Sequence, residues 1–187
     1  LNVTIPYKEE IIPYLDKLSK NAKIIGAVNT IAISKKKKLK GHNTDYYGFK
    51  KTVSPLLKEH HKKALILGTG GASKAVAYAL RKLKIEYDFV SRTPDEFQFG
   101  YSELTAELFD EYHLIINTTP VGTHPNIAEC PELNYSLFTE KHIAYDLVYN
   151  PGESTFLRKA KENGAVIKNG YDMLIFQAEK AWKIWNE

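Results

Sequence analysis

The chain is short of several things that would mark other classes of protein. Among its 187 residues there is one cysteine, Cys130, so no internal disulfide can form. Cys130 lies in a polar, proline-flanked stretch with no second cysteine or metal motif nearby, and the expected setting is reducing and cytoplasmic. No apolar run approaches the roughly 18 residues of a membrane span. No basic leader runs into an apolar core and a cleavage site, so no membrane partner is expected. A broad basic footprint is missing too: 26 basic and 22 acidic side chains leave a formal charge of +4. Four of the lysines sit together at residues 35–38 and read as a solvated hairpin tip, so no nucleic-acid partner is expected. His60-His61 has no third ligand at zinc-site spacing and reads as an exposed helix end, so no metal is expected. There is no internal repeat and no low-complexity linker. There is also no initiator methionine, and Leu1-Asn2-Val3-Thr4-Ile5-Pro6 reads as a strand already under way, which leads us to expect preceding sequence.

What is present suits a folded α/β chain, with 43% hydrophobic residues, enough for one good core or two small ones sharing an interface. Residues 2–5 read as extended and Pro6 ends them. Over residues 7–18, Ile11, Ile12, Tyr14, Leu15 and Leu18 recur at helical spacing, interrupted by Pro13. Residues 23–34 are rich in β-branched side chains, and residues 39–42 return across the lysine hairpin. A helix fits residues 46–60, with Phe49, Val53, Leu56 and Leu57 on one face and Pro55 as an interruption. The first sixty residues thus read as part of a mixed sheet-and-helix domain.

After His61 the pattern alternates. Strands are expected at 63–67, 87–90, 114–117, 143–147 and 165–167, and helices at 72–83, 104–112 and 154–163. Such alternation indicates a mostly parallel sheet covered on both faces. A last helix, 171–185, carries Leu174, Ile175, Ala178, Ala181, Trp182 and Trp185 on an apolar side, and both tryptophans read as packing residues.

Gly68-Thr69-Gly70-Gly71-Ala72-Ser73 follows a strand and opens a helix, the context in which a glycine fingerprint reads as dinucleotide-binding. Gly68 takes the turn, Gly70 lets a pyrophosphate approach the backbone, and the helix N-terminus offers free N–H groups. Ser73 stands where the third glycine of the strict pattern belongs; its hydroxyl either meets phosphate or packs as a small side chain. At the end of the second strand, where a ribose-reading carboxylate is usual, stands Ser91-Arg92-Thr93. A guanidinium between two hydroxyls suits a 2′-phosphate and favours NADP over NAD. Against this, Asp95 and Glu96 would repel that phosphate if they faced it, and Arg92 also reads as a plain surface charge.

Among polar candidates, Lys8 follows the first strand near Asn2 and Thr4, and Asn29 and Asp45 stand at other element ends. On spacing alone Asp45 reads best as a helix N-cap and Lys8 as an ordinary lysine at a helix start. Tyr46 and Tyr47 either line a cleft or pack the following helix.

Several motifs, in order, resemble one family. They are Asn2-Val3-Thr4-Ile5-Pro6-Tyr7-Lys8-Glu9, Gly26-Ala27-Val28-Asn29-Thr30, Gly41-His42-Asn43-Thr44-Asp45 with Gly48-Phe49, and the glycine loop. Asn117-Thr118-Thr119-Pro120-Val121-Gly122, Asp146-Leu147-Val148-Tyr149 and Gly170-Tyr171-Asp172-Met173-Leu174 with Gln177-Ala178 complete the set. Together they resemble the shikimate dehydrogenases over essentially the whole chain. The resemblance implies a Rossmann-type doubly wound parallel sheet plus an incomplete α/β substrate-binding and catalytic domain. Its boundaries would be 1–60 for the partial catalytic domain, 61–168 for the dinucleotide domain and 169–187 for a helix returning to the catalytic domain.

By the same resemblance Lys8 is the catalytic acid/base and Asp45 its partner. Thr4, Lys8, Asn29, Asp45, Tyr149, Gly170 and Gln177 surround shikimate or 3-dehydroshikimate. Gly68, Thr69, Gly70, Gly71, Ala72 and Ser73 take the pyrophosphate of NADP, and Ser91, Arg92 and Thr93 its 2′-phosphate. Asn117, Thr118, Thr119, Pro120 and Val121 take the ribose and nicotinamide, with Leu147 and Gly170 beside the ring. The implied role is a place in aromatic amino acid biosynthesis, and a homodimer is compatible with it. Two departures stand out: nothing here matches the family's N-terminal stretch with its serine pair for the substrate carboxylate, and Ser91 and Asp95 replace an asparagine and a second arginine at the phosphate reader. The alternatives are an NAD-using quinate/shikimate dehydrogenase and a noncatalytic dinucleotide-binding module; a purely structural protein has no use for this combination of residues.

Overall fold

The computed structural model describes residues 1–187. Its strands form two sheets. In the smaller, β1 (Lys17–Leu18), β2 (Thr30–Ile33) and β3 (Leu39–His42) lie in the order β1-β3-β2. β2 and β3 are the expected antiparallel hairpin, with Thr30 opposite His42 and Ile33 opposite Leu39. Leu1 and Val3 add to the far side of β2 through backbone bonds to Ile31 and Asn29, but only Asn2 and Thr30 form a bridge, so the expected first strand is reduced to a single pairing.

Two expectations for this half are corrected. Residues 7–18 are turns, a 3-10 turn at Ile12–Tyr14 and then β1, not a helix. Ile11, Ile12, Leu15 and Leu18 instead cover Ala22, Val28 and Ile31; helical spacing of apolar residues was satisfied by a folded-over loop because Pro13 denies the ladder a donor. Residues 23–25, read as the start of a strand, end helix α1 (Lys20–Ile25), capped by Ser19 Oγ accepting from Ala22 N and closed by Gly26 at φ +72°.

The larger sheet is wholly parallel. It comprises β4 (Lys63–Leu67), β5 (Glu86–Ser91), β6 (Gln98–Gly100), β7 (Leu114–Asn117), β8 (Ile143–Asp146) and β9 (Val166–Lys168), in the order β6-β5-β4-β7-β8-β9. The order reverses between β4 and β7, and such a switch point opens a crevice at the carboxyl ends of the strands. β6 was missed, because three residues offer no readable period. Ala64 and Ile66 face one layer and Leu65 and Leu67 the other, which is why a doubly covered strand reads as one apolar run.

One face of this sheet is covered by α2 (Asp45–Val53), α3 (Gly71–Leu83) and α6 (Tyr171–Asn186) through Phe49, Val53, Val76, Leu80 and Met173. The other is covered by α4 (Ala106–Glu111) and α5 (Thr155–Glu162) through Phe109, Phe156, Leu157 and Ala160. α2 and α6 therefore join the two sheets. They pack closely at Gly48, where a Cβ would stand 2.5 Å from Met173 O. The helix expected over 46–60 stops at Val53, followed by a 3-10 turn at Ser54–Leu56. The apolar side of α6 is only partly buried: Ala181 is covered, whereas Trp182 is 66% exposed and Trp185 half-buried, its Nε1 donating to Ile31 O. The packing role assigned to Trp182 is thus corrected. No helix is long and apolar enough to cross a membrane.

His61 is buried rather than at an exposed helix end. Its Nδ1 accepts from Lys58 N at 2.8 Å and its Nε2 meets Lys141 O at 3.1 Å, so the ring is held neutral. Burial, with His60 beside it, pulls its pKa down to about 4. The unfolded state takes up a proton below about 6.5 while the folded state does not until about 4. Stability from this group is therefore full above the unfolded value and is lost as pH falls through that window. Asp146, raised to about 6, works in the opposite sense, so the contrast is best read between variants. The melting temperature of the unsubstituted chain should exceed that of His61→Asn by more at pH 7.5 than at pH 5; an equal difference at both would remove His61 from the acid response.

Candidate active site

The motif residues are gathered where the two sheets meet. Asn29, at the entry to β2, is the organising side chain: its Oδ1 accepts from Thr44 N at 2.8 Å, while its Nδ2 donates to Asp45 Oδ1 at 2.8 Å and Thr44 Oγ1 at 2.9 Å. Gln177 of α6 reaches the same cluster, its Oε1 3.2 Å from Thr44 Oγ1 and 3.3 Å from Asn29 Nδ2. Asp45 is thereby fixed with its second oxygen free to accept from Lys8 Nζ at 2.7 Å. Asp45 is not the N-cap that spacing suggested. Thr44 occupies that position, without a side-chain cap, and Asp45 is the first residue of α2. The capping bond comes instead from Asn43 Oδ1, which accepts from Tyr46 N. Nor is Lys8 a surface lysine, as its side chain is only 14% exposed. Tyr46 packs edge-on against Tyr78 of α3 and accepts from Asn21 Nδ2.

A cavity of about 660 Å³ opens on this cluster. Thr4, Lys8, Asn29, Asp45, Tyr149, Gly170 and Gln177 all line it, together with Leu147 and with Asn2, His124 and Met173, which sequence reasoning did not single out. A second cavity, about 830 Å³, runs over the glycine loop. Gly68, Thr69, Gly70, Gly71 and Ala72 line it, as do Ser91, Arg92, Thr93, Thr118, Thr119, Pro120 and Val121. Lys8, Ala72, Thr118, Thr119 and Pro120 belong to both walls. The pair Lys8–Asp45 therefore lies where a molecule in one cavity meets a molecule in the other.

The loop is built to receive an anion. Gly68 has φ +100°, favoured by glycine, and a Cβ at Gly70 would meet open space. No side chain caps α3 at Gly70, so its first amides keep free donors at the positive end of a helix dipole. Ser73 is fully buried, donates to Gly70 O and lines neither cavity. Arg92 is exposed at the cavity rim beside Tyr101 and pairs with no carboxylate. Asp95 does not face it: its carboxylate accepts from Phe97 N and Gln98 Nε2 within its own turn. Glu129, Cys130 and Glu132 line the same cavity from an irregular loop that carried no readable signal. Glu9, next to Lys8, pairs with Lys74 of α3 and ties the Lys8 segment to the glycine-loop helix.

Asn117 also departs from expectation. It is buried and lines neither cavity, its Nδ2 donating to Asp146 Oδ1 at 3.0 Å and its Oδ1 accepting from Thr119. Burial of Asp146 outweighs its three hydrogen bonds and pushes its pKa up to about 6.

A family description, shikimate dehydrogenase substrate binding domain, matches residues 1–31. A shikimate dehydrogenase (NADP(+)) of Carboxydothermus hydrogenoformans is 42% identical over 204 aligned residues, covering 99% of this chain and 71% of that protein. The chain belongs to the shikimate dehydrogenase family. It spans about seven tenths of that relative's length. Among solved structures of the family, a chorismate mutase/shikimate 5-dehydrogenase fusion protein from Clostridium acetobutylicum superposes with a TM-score of 0.88 at 38% identity, covering 100% of this chain and 70% of that one. The shikimate 5-dehydrogenase of Thermus thermophilus, in complex with NADP(H) and shikimate, gives 0.85 at 36% identity, covering 98% and 71%. The Rossmann-type order of the larger sheet is thus a family trait, and the two cavities lie in a fold whose relatives include one solved with two ligands.

Proposed function

We propose that the chain interconverts shikimate and 3-dehydroshikimate with NADP, and that residues 1–60 and 169–187 form the catalytic part while residues 61–168 form the dinucleotide domain. The observation that carries this reading is the Lys8–Asp45 pair, 2.7 Å apart, in reach of the wall shared by both cavities. The residues fit the cofactor: uncapped amides and a side-chain-free approach at Gly70 suit a pyrophosphate, and unpaired Arg92 between Ser91 and Thr93 suits a 2′-phosphate. When bound, NADPH supplies the hydride.

The chain's own residues manage the proton and the orientation. In reduction, Lys8 Nζ donates a proton to the substrate oxygen that gains negative charge, and recovers it in the reverse direction. Its ammonium also stabilises that charge before transfer, in a site that side chains shield from water. Asp45 keeps the ammonium pointed into the cavity, and Asn29 fixes Asp45 by holding its other oxygen. Asn29, Thr44 and Gln177 form one hydrogen-bonded group, a ready reader of ring hydroxyls with donors and acceptors already ordered. Thr118, Thr119 and Pro120 border both cavities and Leu147 the first, flanking the place where the ring acid would meet the nicotinamide.

Initial rates of shikimate oxidation, with NADP and NAD supplied separately and reduced nicotinamide followed by absorbance, test the reading. NADP-dependent turnover is expected. Preference for NAD would favour the quinate/shikimate alternative, and binding without turnover would leave a dinucleotide-binding module. At the phosphate reader, Arg92→Ala should cut the ratio of kcat/KM for NADP over NAD by roughly tenfold to a hundredfold, the worth of a lost charged hydrogen bond. An unchanged ratio would return Arg92 to a plain surface charge.

A further inference from the structure

We propose that Asp146 is a positioning residue for the cofactor, acting through Asn117 to set the turn at residues 117–121. The proposal rests on the dinucleotide reading of the second cavity. Asp146 ends β8, is fully buried and lines neither cavity. Its carboxylate accepts from Asn117 Nδ2 and Val148 N, both at 3.0 Å, and from Ser154 Oγ, and no lysine or arginine pairs with it. A buried carboxylate held only by neutral donors is costly, and the neutral amide of asparagine would fill the same space without the buried charge.

Its effect on the neighbouring side chain explains the placement. A carboxylate offers acceptors alone, so Asn117 has to turn its Nδ2 towards Asp146 and its Oδ1 away. That Oδ1 then accepts from Thr119 N at 3.1 Å and Thr119 Oγ1 at 2.6 Å, and Thr119 Oγ1 accepts in turn from Val121 N at 3.3 Å. Thr119 and Pro120 stand in the wall common to both cavities. Asn117 Nδ2 also reaches Val121 O at 3.4 Å, so the Asp146 carboxylate is the shorter and charged of the two acceptors that hold Asn117 in the orientation shaping the nicotinamide wall. Ser154, the N-cap of α5, holds the carboxylate from the far side and keeps it from rotating. With an amide at position 146 Asn117 Nδ2 exchanges a charged acceptor for a neutral one and keeps the long contact to Val121 O at 3.4 Å, so the turn is held less firmly.

The measurement is titration of NADPH by its fluorescence, alongside steady-state kinetics, on the unsubstituted chain and on Asp146→Asn. The expected result is a rise of roughly tenfold in Kd and KM for the dinucleotide, with shikimate KM and kcat within about twofold. Thr119→Val should show a similar rise, and the double variant little more than either single one, as for residues acting in one network. If the unsubstituted chain fails to bind NADPH, the dinucleotide reading itself falls. If it binds and Asp146→Asn binds equally well, or loses shikimate and NADPH affinity alike, the positioning role is overturned while the cofactor reading stands. Should Asp146→Asn not fold, Ser154→Ala decides: it touches neither cavity, so a Kd raised about threefold or more sustains the role and an unchanged Kd overturns it.

Discussion

Lys8→Ala is expected to lower turnover by roughly 10² or more while leaving NADPH affinity within about threefold. The asymmetry follows from where the ammonium sits. Its partner is Asp45, and the two are largely shielded from solvent. The amides of the glycine loop are supplied by backbone that the substitution leaves in place. Lys8 is thus needed where charge develops on the reacting oxygen and is peripheral to holding the pyrophosphate. Asp45 keeps its bond from Asn29 Nδ2 after the substitution, so the cluster is not left without a donor. Fluorescence titration and initial rates on the same preparation check both halves. Turnover unchanged within a factor of two would remove Lys8 from the acid/base role.

Gly170→Ala should cost stability and substrate affinity together. The conformation of Gly170 is ordinary, φ −78° and ψ 0°, so the backbone would accept alanine. The space would not: a Cβ there falls on the carbonyl oxygen, carbon and Cα of Leu147, backbone atoms that cannot swing aside. Relief requires the start of α6 to move away from the segment after β8, breaking the bond from Gly170 N to Val148 O. Overpacking of this kind costs about 1–3 kcal/mol, roughly 3–10 °C in melting temperature for a chain of this size. Because α6 also carries Gln177 into the Asn29–Thr44 cluster, shikimate KM should rise several-fold. Gly152→Ala is the control, since nothing lies near a Cβ at that position. A Gly170→Ala chain as stable as Gly152→Ala would mean that α6 and the β8 end are not rigidly apposed.

The larger sheet was legible in the sequence because its strands are short apolar runs between amphipathic helices. β4 and β7 fall on residues 63–67 and 114–117 as read. The smaller sheet was less legible. Its helical-looking apolar spacing over residues 7–18 serves a loop that folds back on the sheet. At the site, Lys8 and Asp45 were singled out by the family resemblance rather than by spacing, and Arg92 by its charge at the end of a strand. Direction was not legible: Ser73 and Asn117 point inward, and Trp182 points outward.

By itself the sequence determined the parallel sheet, the phosphate-type loop and the family, since periodicity, glycine placement and ordered motifs are local properties of the chain. Only the tertiary structure decided that Lys8 meets Asp45 across 37 positions, that Gln177 closes the same cluster from the other end, and that Asp95 turns away from Arg92. Those outcomes depend on how α2 and α6 cross the larger sheet and on which donors reach each carboxylate first, and no local pattern encodes either.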